Sequence, residues 1–318
     1  MEQRADFDQA IASQPQWMRL AAELAGEALG AAPLTPWTAG QTVAVVGMGA
    51  STNAGAVLVA ALRQAGLRAV NLDASAVADY PPGYDAADHV IVVSESGRSP
   101  EPIAAAARLG VRPIVVTNDP ASPVTQGAAL VVPLGGFTDS GVYTIGYTTT
   151  LVALAAIAAA HGVQLTDPAA LAGVAQAALS DFATAAPSLA AGLDGRCFLD
   201  IVGRGVSAGS AQAAALLFRE APGLASAPFE TLQYLHGPME SSGPNSATML
   251  FGDGRERGIA DQLRAAGALV IQLSAAPGYA GAVTEIVFAQ LIAAELARRR
   301  GVQVGQFRFP QPDTKLPA

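Results

Sequence analysis

The sequence predicts an α/β protein of two doubly wound units in tandem, each a mostly parallel five-stranded sheet flanked by helices. Three observations lead there. Short β-branched runs alternate with Ala- and Leu-rich stretches, the pattern of successive βαβ connections. The runs are apolar at every position rather than every second one, as in strands covered on both faces. The pattern also restarts. Val43-Ala-Val-Val-Gly-Met-Gly-Ala-Ser51 is matched 156 residues later by Leu199-Asp-Ile-Val-Gly-Arg-Gly-Val-Ser207, which marks an internal repeat.

The elements follow in order. Residues 1–35 form a helical lead-in, with apolar residues at helical spacing over Asp6–Gly30 until Pro33, Pro36 and Gly40 break the helix. Residues 36–165 form a first domain. Its strands are expected at Thr42–Gly47, Ala69–Asp73, His89–Ser94, Pro113–Thr117 and Leu130–Pro133, and a long helix from about Tyr143 to His161 closes it. Residues 166–190 link the domains through a helix over Asp167–Ala186. Residues 191–301 form the second domain, in which Cys197 opens an apolar run and reads as a buried strand residue. Strands are expected there at Thr248–Gly252 and Leu269–Leu273, with a final helix over Thr284–Arg300. At the 156-residue offset His89–Ser94 lands on Asn245–Leu250, two or three residues off register. Residues 302–318 are a Pro-rich tail ending Phe-Pro-Gln-Pro-Asp-Thr-Lys-Leu-Pro-Ala.

Composition narrows the function classes. With 318 residues, 51% hydrophobic and 14% charged, the chain can bury a large core and is not a disordered tail. A net charge of −8 argues against nucleic acid as a partner. A single cysteine excludes a disulfide framework, and the three histidines His89, His161 and His236 stand at no metal-ligand spacing. No metal or cofactor is expected. Met1–Asp6 does not read as a signal peptide. The uncharged stretch Ser140–Thr166 holds Gly141, Gly146, two Tyr and several Thr. It reads as a buried helix rather than a membrane span, so a cytoplasmic protein is expected. Seventeen arginines accompany one lysine, Lys315. Arginine stays protonated, whereas a lysine can give up its proton and act as a nucleophile. Codon bias explains the lone lysine equally well.

Two loops carry anion chemistry. Gly47-Met-Gly49-Ala-Ser51 follows a strand and opens a helix, where glycines admit an anion to free N–H groups and the positive end of the helix dipole. A dinucleotide fold remains a rival, with Asp73 placed to take a ribose, although the third glycine position holds Thr52. The second loop, Ser94-Glu95-Ser96-Gly97-Arg98-Ser99-Pro100, has three hydroxyls in six residues before a helix. Capping alone would explain Ser99 at the N-cap with Pro100 behind it. It leaves Ser94 and Ser96 without a reason. In a sheet of order 2-1-3-4-5 these two loops flank the topological switch point, where ligands bind. The second half ends its equivalent strand in Leu250-Phe-Gly-Asp-Gly, without serine, so one anion site per chain is expected. It offers Glu220 at the end of an Ala/Leu-rich helix and His236 before Gly237-Pro238 instead. Singly, these read as a solvated helix residue and a turn. Together with Lys315 they would supply a base, a ring-opening acid/base and an amine.

The order Gly-x-Gly-x-Ser, Ser-x-Ser-Gly-x-Ser, Arg219-Glu220, His236-Gly237-Pro238 and Pro310…Lys315 resembles the SIS (sugar isomerase) domain family. The likeness is greatest to the isomerase half of glucosamine–fructose-6-phosphate aminotransferase and runs from about Gln14 to Lys315. The resemblance implies two tandem SIS domains. It implies that Gly49, Ser51, Ser94, Ser96 and Ser99 hold a sugar phosphate, with Glu95 in a slot that often carries Gln, and that Val142 and Thr144 line the sugar pocket. It implies further that Glu220 moves a proton between C1 and C2, that His236 assists ring opening across a homodimer interface, and that Lys315 closes over the sugar, with an imine to the open-chain carbonyl as one option. The glutaminase domain and its N-terminal cysteine are absent. Leu217 stands where the family usually has a lysine, and Glu95 would repel a phosphate dianion unless Arg98 neutralises it or it turns toward the sugar hydroxyls. The implied activity is aldose–ketose isomerisation or amino-sugar-phosphate deamination on a small phosphosugar. Deglycation of sugar–amine adducts and a non-catalytic sugar-phosphate sensor are the alternatives.

Overall fold

A computed structural model of the chain describes residues 4–309, 311 and 314–316. It opens with helix α1 (Phe7–Gly30) and runs through β1 (Thr42–Gly47), α2 (Ala50–Gln64), β2 (Arg68–Asp73), α3 (Ala74–Ala78), β3 (His89–Val93), α4 (Pro100–Arg108), β4 (Ile114–Thr117), β5 (Leu130–Pro133) and α5 (Ile145–Ala160). There follow α6 (Leu171–Phe182), α7 (Ala186–Leu193), β6 (Phe198–Gly203), α8 (Val206–Glu220), β7 (Ser226–Glu230), α9 (Thr231–Tyr234), β8 (Ser246–Phe251), α10 (Arg255–Ala265), β9 (Leu269–Leu273) and α11 (Tyr279–Arg299). Short 3-10 turns lie at Pro123–Thr125, Pro168–Ala170 and Pro238–Ser241.

The strands form two parallel sheets, ordered β2-β1-β3-β4-β5 and β7-β6-β8-β9. In the first, Val43, Val45, Ile91, Val92 and Val115 are almost fully buried. Each such side chain contributes about 1.5–3 kcal/mol of transfer free energy, which is why runs this apolar become central parallel strands. The repeat is visible in the register. Val43 pairs with His89, and the residue 156 later, Leu199, pairs with Ala247. The strict offset would give residue 245, so the slip expected from sequence amounts to two residues.

The second sheet corrects the sequence reading: it has four strands among the described residues, not five. After β9 only Ser274–Gly278 separate the sheet from α11, too short a connection to supply the fifth. Its edge strand β7 contains Pro228, tolerated because an edge strand can spare one N–H. Cys197 is also corrected. It is exposed and lies one residue before β6, and its N–H donates to Asn245 O at 2.9 Å. The expected linker helix is a 3-10 turn followed by two helices bent by 70°, because Pro187 starts α7 afresh. Helix α11 begins at Tyr279, five residues before the expected Thr284. Gly281 is no breaker here, since any Cβ on it would lie 2.2 Å from Ala276 O.

The chain divides into two compact units. The first-sheet unit holds Ser13–Thr138, Ile145–Ala172 and the tail from Arg308. Helix α5 packs on α2 there, and Ile145–Ala158 are all buried, so the uncharged stretch does form a core helix. The second-sheet unit holds Gly173–Phe307, Asp139–Thr144 and the chain's start as far as Ala12. In it α11 packs on α7 and α8. Helix α11 is long and apolar enough to cross a membrane, but 78% of its apolar window is buried inside the fold.

Candidate active site

Loop one joins β1 to α2 and its geometry requires glycine twice. Gly49 caps α2 at φ 54°, ψ −123°, a left-handed backbone that costs other residues energy. A Cβ on Gly47 would come within 2.9 Å of Ser51 Cβ. The chain therefore presses tightly against the opening turn of α2. Ser51 N–H donates to Met48 O at 3.0 Å, and Ser51 is half-buried at the helix start.

Loop two joins β3 to α4, beside loop one across the β1–β3 switch point. Ser94 is buried at 4% exposure, while Glu95, Ser96 and Ser99 are half-buried. Gly97 has φ 64°, and a Cβ there would fall 1.8 Å from Ser122 Oγ. The loop is braced from β4 and the turn after it. Ser94 N–H donates to Val116 O at 3.1 Å, Val124 N–H to Gly97 O at 3.1 Å, and Thr117 Oγ1 to Glu95 O at 3.2 Å. Ser99 is the N-cap of α4 with extended backbone, yet its side chain makes no capping hydrogen bond. Capping therefore does not account for Ser99, and its hydroxyl is not spent on the helix.

The charged side chains of loop two have partners on the segment after β4. Glu95 Oε1 accepts from Asn118 Nδ2 at 3.3 Å, and Asn118 N–H donates to Glu95 O at 2.8 Å. Asn118 is itself fixed, donating to Phe137 O at 2.8 Å and accepting from Phe137 N–H at 3.2 Å. Arg98 pairs with Asp119 at 3.0 Å. Glu95 is thus held from both its backbone and its side chain by Asn118. Sequence reasoning missed Asn118, although Asn118-Asp119-Pro120 is a turn signal directly after a strand.

The tail meets this loop. Leu316 N–H donates to Arg98 O at 2.8 Å, so the backbone next to Lys315 is tied to the middle of loop two. Lys315 is exposed. Pro310 lies outside the described residues. Gly49, Ser51, Ser94, Glu95, Ser96, Ser99 and Lys315 all belong to the first-sheet unit.

Val142, Thr144, Glu220 and His236 belong to the second-sheet unit. Glu220 is the last residue of α8, and burial pushes its carboxyl up to about 7. A helix C-terminus is the unfavourable end for a negative charge, so the position does not favour a carboxylate for stability. Leu217, one turn earlier, is buried at 4% exposure. His236 follows α9 in an exposed turn. Val142 and Thr144 are buried in a tight latch that sequence reasoning did not identify. Asp139 accepts from Thr144 N–H at 3.0 Å and from Thr144 Oγ1 at 2.5 Å, which commits the Thr144 hydroxyl proton. The signal for it was Asp139-Ser140-Gly141, a turn in which Asp binds its own downstream backbone.

The second sheet repeats the loop-one backbone with different occupancy. Gly205 caps α8 at φ 61°, ψ −123°, nearly the values of Gly49. Ser207, the counterpart of Ser51, donates its hydroxyl to Glu285 Oε1 at 2.6 Å. Burial pushes the Glu285 carboxyl up to about 7. Where the first sheet has the serine loop, the second has Gly252, and a Cβ on it would lie 3.0 Å from the buried Glu256 carboxylate. Among the described residues no group of three or more His, Cys, Asp or Glu is placed to hold a metal ion.

No family model and no curated relative matches the chain. Solved structures do. The C-terminal domain of glucosamine-fructose-6-phosphate aminotransferase from Francisella tularensis matches with a TM-score of 0.79 at 18% identity, covering 95% of this chain and 98% of that one. Glucosamine-6-phosphate deaminase from Thermotoga maritima matches with a TM-score of 0.78 at 20% identity, covering 94% and 96%. Tagatose-6-phosphate ketose/aldose isomerase from Escherichia coli matches with a TM-score of 0.71 at 17% identity, covering 96% of each chain. At these identities the likeness is one of fold, and it runs over nearly the whole chain: this protein shares its architecture with enzymes that act on phosphorylated sugars.

Proposed function

We propose that the chain is a tandem SIS protein that binds a phosphosugar at loops one and two and shifts a proton between C1 and C2 of its open-chain form. The observation that carries this reading is the hydroxyl loop Ser94–Ser99, built next to the glycine-capped start of α2, with the chain's only lysine brought alongside by the Leu316–Arg98 hydrogen bond. Hydroxyls and helix-start amides are what a phosphate dianion needs. An anchor remote from the reacting carbons lets binding energy position C1 and C2.

In this reading Glu220, as carboxylate, takes a proton from the carbon next to the carbonyl. The electron pair moves onto the carbonyl oxygen, and the enediol takes the proton back at the neighbouring carbon. With a 2-amino sugar the same shift leaves an imine at C2, and water releases ammonia. With an amine on C1 the product is a free sugar and a free amine. His236 assists ring opening, shared across a homodimer, and Lys315 closes over the sugar.

The test is incubation with glucosamine 6-phosphate and fructose 6-phosphate, with ammonia and sugar products followed together in wild type and Glu220→Gln. Turnover abolished in Glu220→Gln supports the reading, and ammonia release selects the deaminase. Binding without turnover selects the sensor or a different sugar adduct. No binding of any phosphosugar overturns the reading.

A further inference from the structure

Asp200 sits in the middle of β6 at 5% exposure. The residue at the same place in the first repeat is Ala44, fully buried. A carboxyl among strand residues such as Leu199, Ile201 and Val202 is costly to bury without a partner, and burial pushes it up to about 6. An apolar residue would stabilise the strand better, so the position calls for a reason other than stability.

Its contact supplies one. Tyr234, fully buried at the end of α9, reaches Asp200 Oδ2 with its hydroxyl at 3.1 Å. The Tyr234 hydroxyl also meets Ser242 Oγ at 2.8 Å and Thr248 Oγ1 at 3.4 Å. Tyr234 and Ser242 are the two ends of the turn that carries His236. Between them the backbone closes on itself: His236 N–H donates to Gln233 O at 3.0 Å and Ser242 N–H to Met239 O at 3.0 Å. Helix α9 has only four residues, too few to hold itself. Its start is fixed by Glu230, which accepts from Leu232 and Gln233 N–H, and by Thr231 Oγ1 donating to Glu256. Its end is fixed by the Tyr234 hydroxyl.

We propose that Asp200 and Tyr234 are positioning residues for His236, clamping both ends of its turn to the central strand of the second sheet. The inference rests on the proposed role of His236 in ring opening. A histidine that must deliver or take a proton needs its ring held to within a fraction of an ångström, and small misplacement costs rate rather than binding. An exposed turn of seven residues does not provide that by itself. The clamp does, from a strand that cannot move without opening the sheet.

The experiment compares Tyr234→Phe and the gentler Ser242→Ala with wild type, each also in a His236→Asn background. In the wild-type background the clamp variants should lower kcat about tenfold or more with KM for the phosphosugar within about twofold. In the His236→Asn background they should have no further effect. An unchanged kcat in folded Tyr234→Phe, or the same loss in both backgrounds, overturns the proposal. A second readout needs no activity. With 15N-labelled histidine the chain gives only three imidazoles, and the His236 ring signals should broaden or shift in both clamp variants. If His236→Asn alone leaves activity intact, the catalytic reading of His236 fails, and the ring signals then decide the clamp: unchanged signals in Tyr234→Phe overturn it.

Discussion

The two sheets share one plan and spend it differently. In both, the strand order places a central pair at a switch point, and a glycine at φ 54° or 61°, ψ −123° caps the helix that follows the first central strand. In the first sheet the serine after that glycine stands beside a hydroxyl-rich second loop. In the second the equivalent serine is taken by the buried Glu285 carboxyl, and Glu256 lies under the second loop. An acidic side chain seated there occupies the serine that the first sheet leaves to its loop. The loop-one backbone thus recurs in both sheets, and only the first sheet joins it to a serine-rich second loop. That leaves the second sheet free to carry Glu220 and His236.

Ways to break or sharpen this comparison differ in expected size. Glu220→Gln should lower turnover about 10³-fold, within the range of a lost general base, measured by initial rates on a phosphosugar that wild type converts. Because burial pushes Glu220 up to about 7, kcat/KM of the wild type should climb as pH rises through about 7, when the base ionises. An acidic limb at the ordinary carboxylate range would remove Glu220 from the role.

Glu285 has a stability consequence. Its carboxyl keeps its proton to about 7 in the folded protein, against 4.5 ordinarily. The folded state therefore binds more protons between those values, and stability falls as pH rises from about 4.5 through about 7. Glu285→Gln should remove a fall on the order of 3 kcal/mol, read as denaturant midpoints at pH 5 and pH 8. Equal slopes in wild type and variant would contradict this.

Gly97→Ala should cost about 2 kcal/mol or more, since it adds both a left-handed backbone penalty and a collision with Ser122. Gly49→Ala should cost less, because nothing lies within 4 Å of its Cβ and only the backbone penalty remains. Thermal unfolding of the two variants gives the order, and the reverse order would sink the packing argument. The smallest effect separates the sheets most cleanly. Ser99→Ala should weaken phosphosugar binding about tenfold, the size of one hydrogen bond to a charged group, and Ser207→Ala should leave it unchanged, both read by calorimetry.

The first sheet was legible because its strands are β-branched runs buried on both faces and its loops are marked by Gly, Ser and Pro. Helix α5 was legible because an uncharged Ala/Leu stretch has nowhere to go but the core. The second sheet was harder. Strand β7 is disguised by Pro228, and a fifth strand was expected by analogy with the first repeat where only five residues lead into α11. Cys197 sat next to an apolar run and was read into it, one residue too early. Within the site, loops one and two were readable as motifs. Asn118, Asp139, Glu285 and Asp200 were not, because each acts through a partner distant in sequence or through a turn whose partner periodicity does not reveal.

The most direct test of the central claim is isothermal titration of fructose 6-phosphate into the wild-type chain, with the Ser96→Ala/Ser99→Ala double variant as control. The account predicts one phosphosugar per chain, lost or strongly weakened in the double variant. Two equivalents per chain, or binding indifferent to both serines, would contradict it.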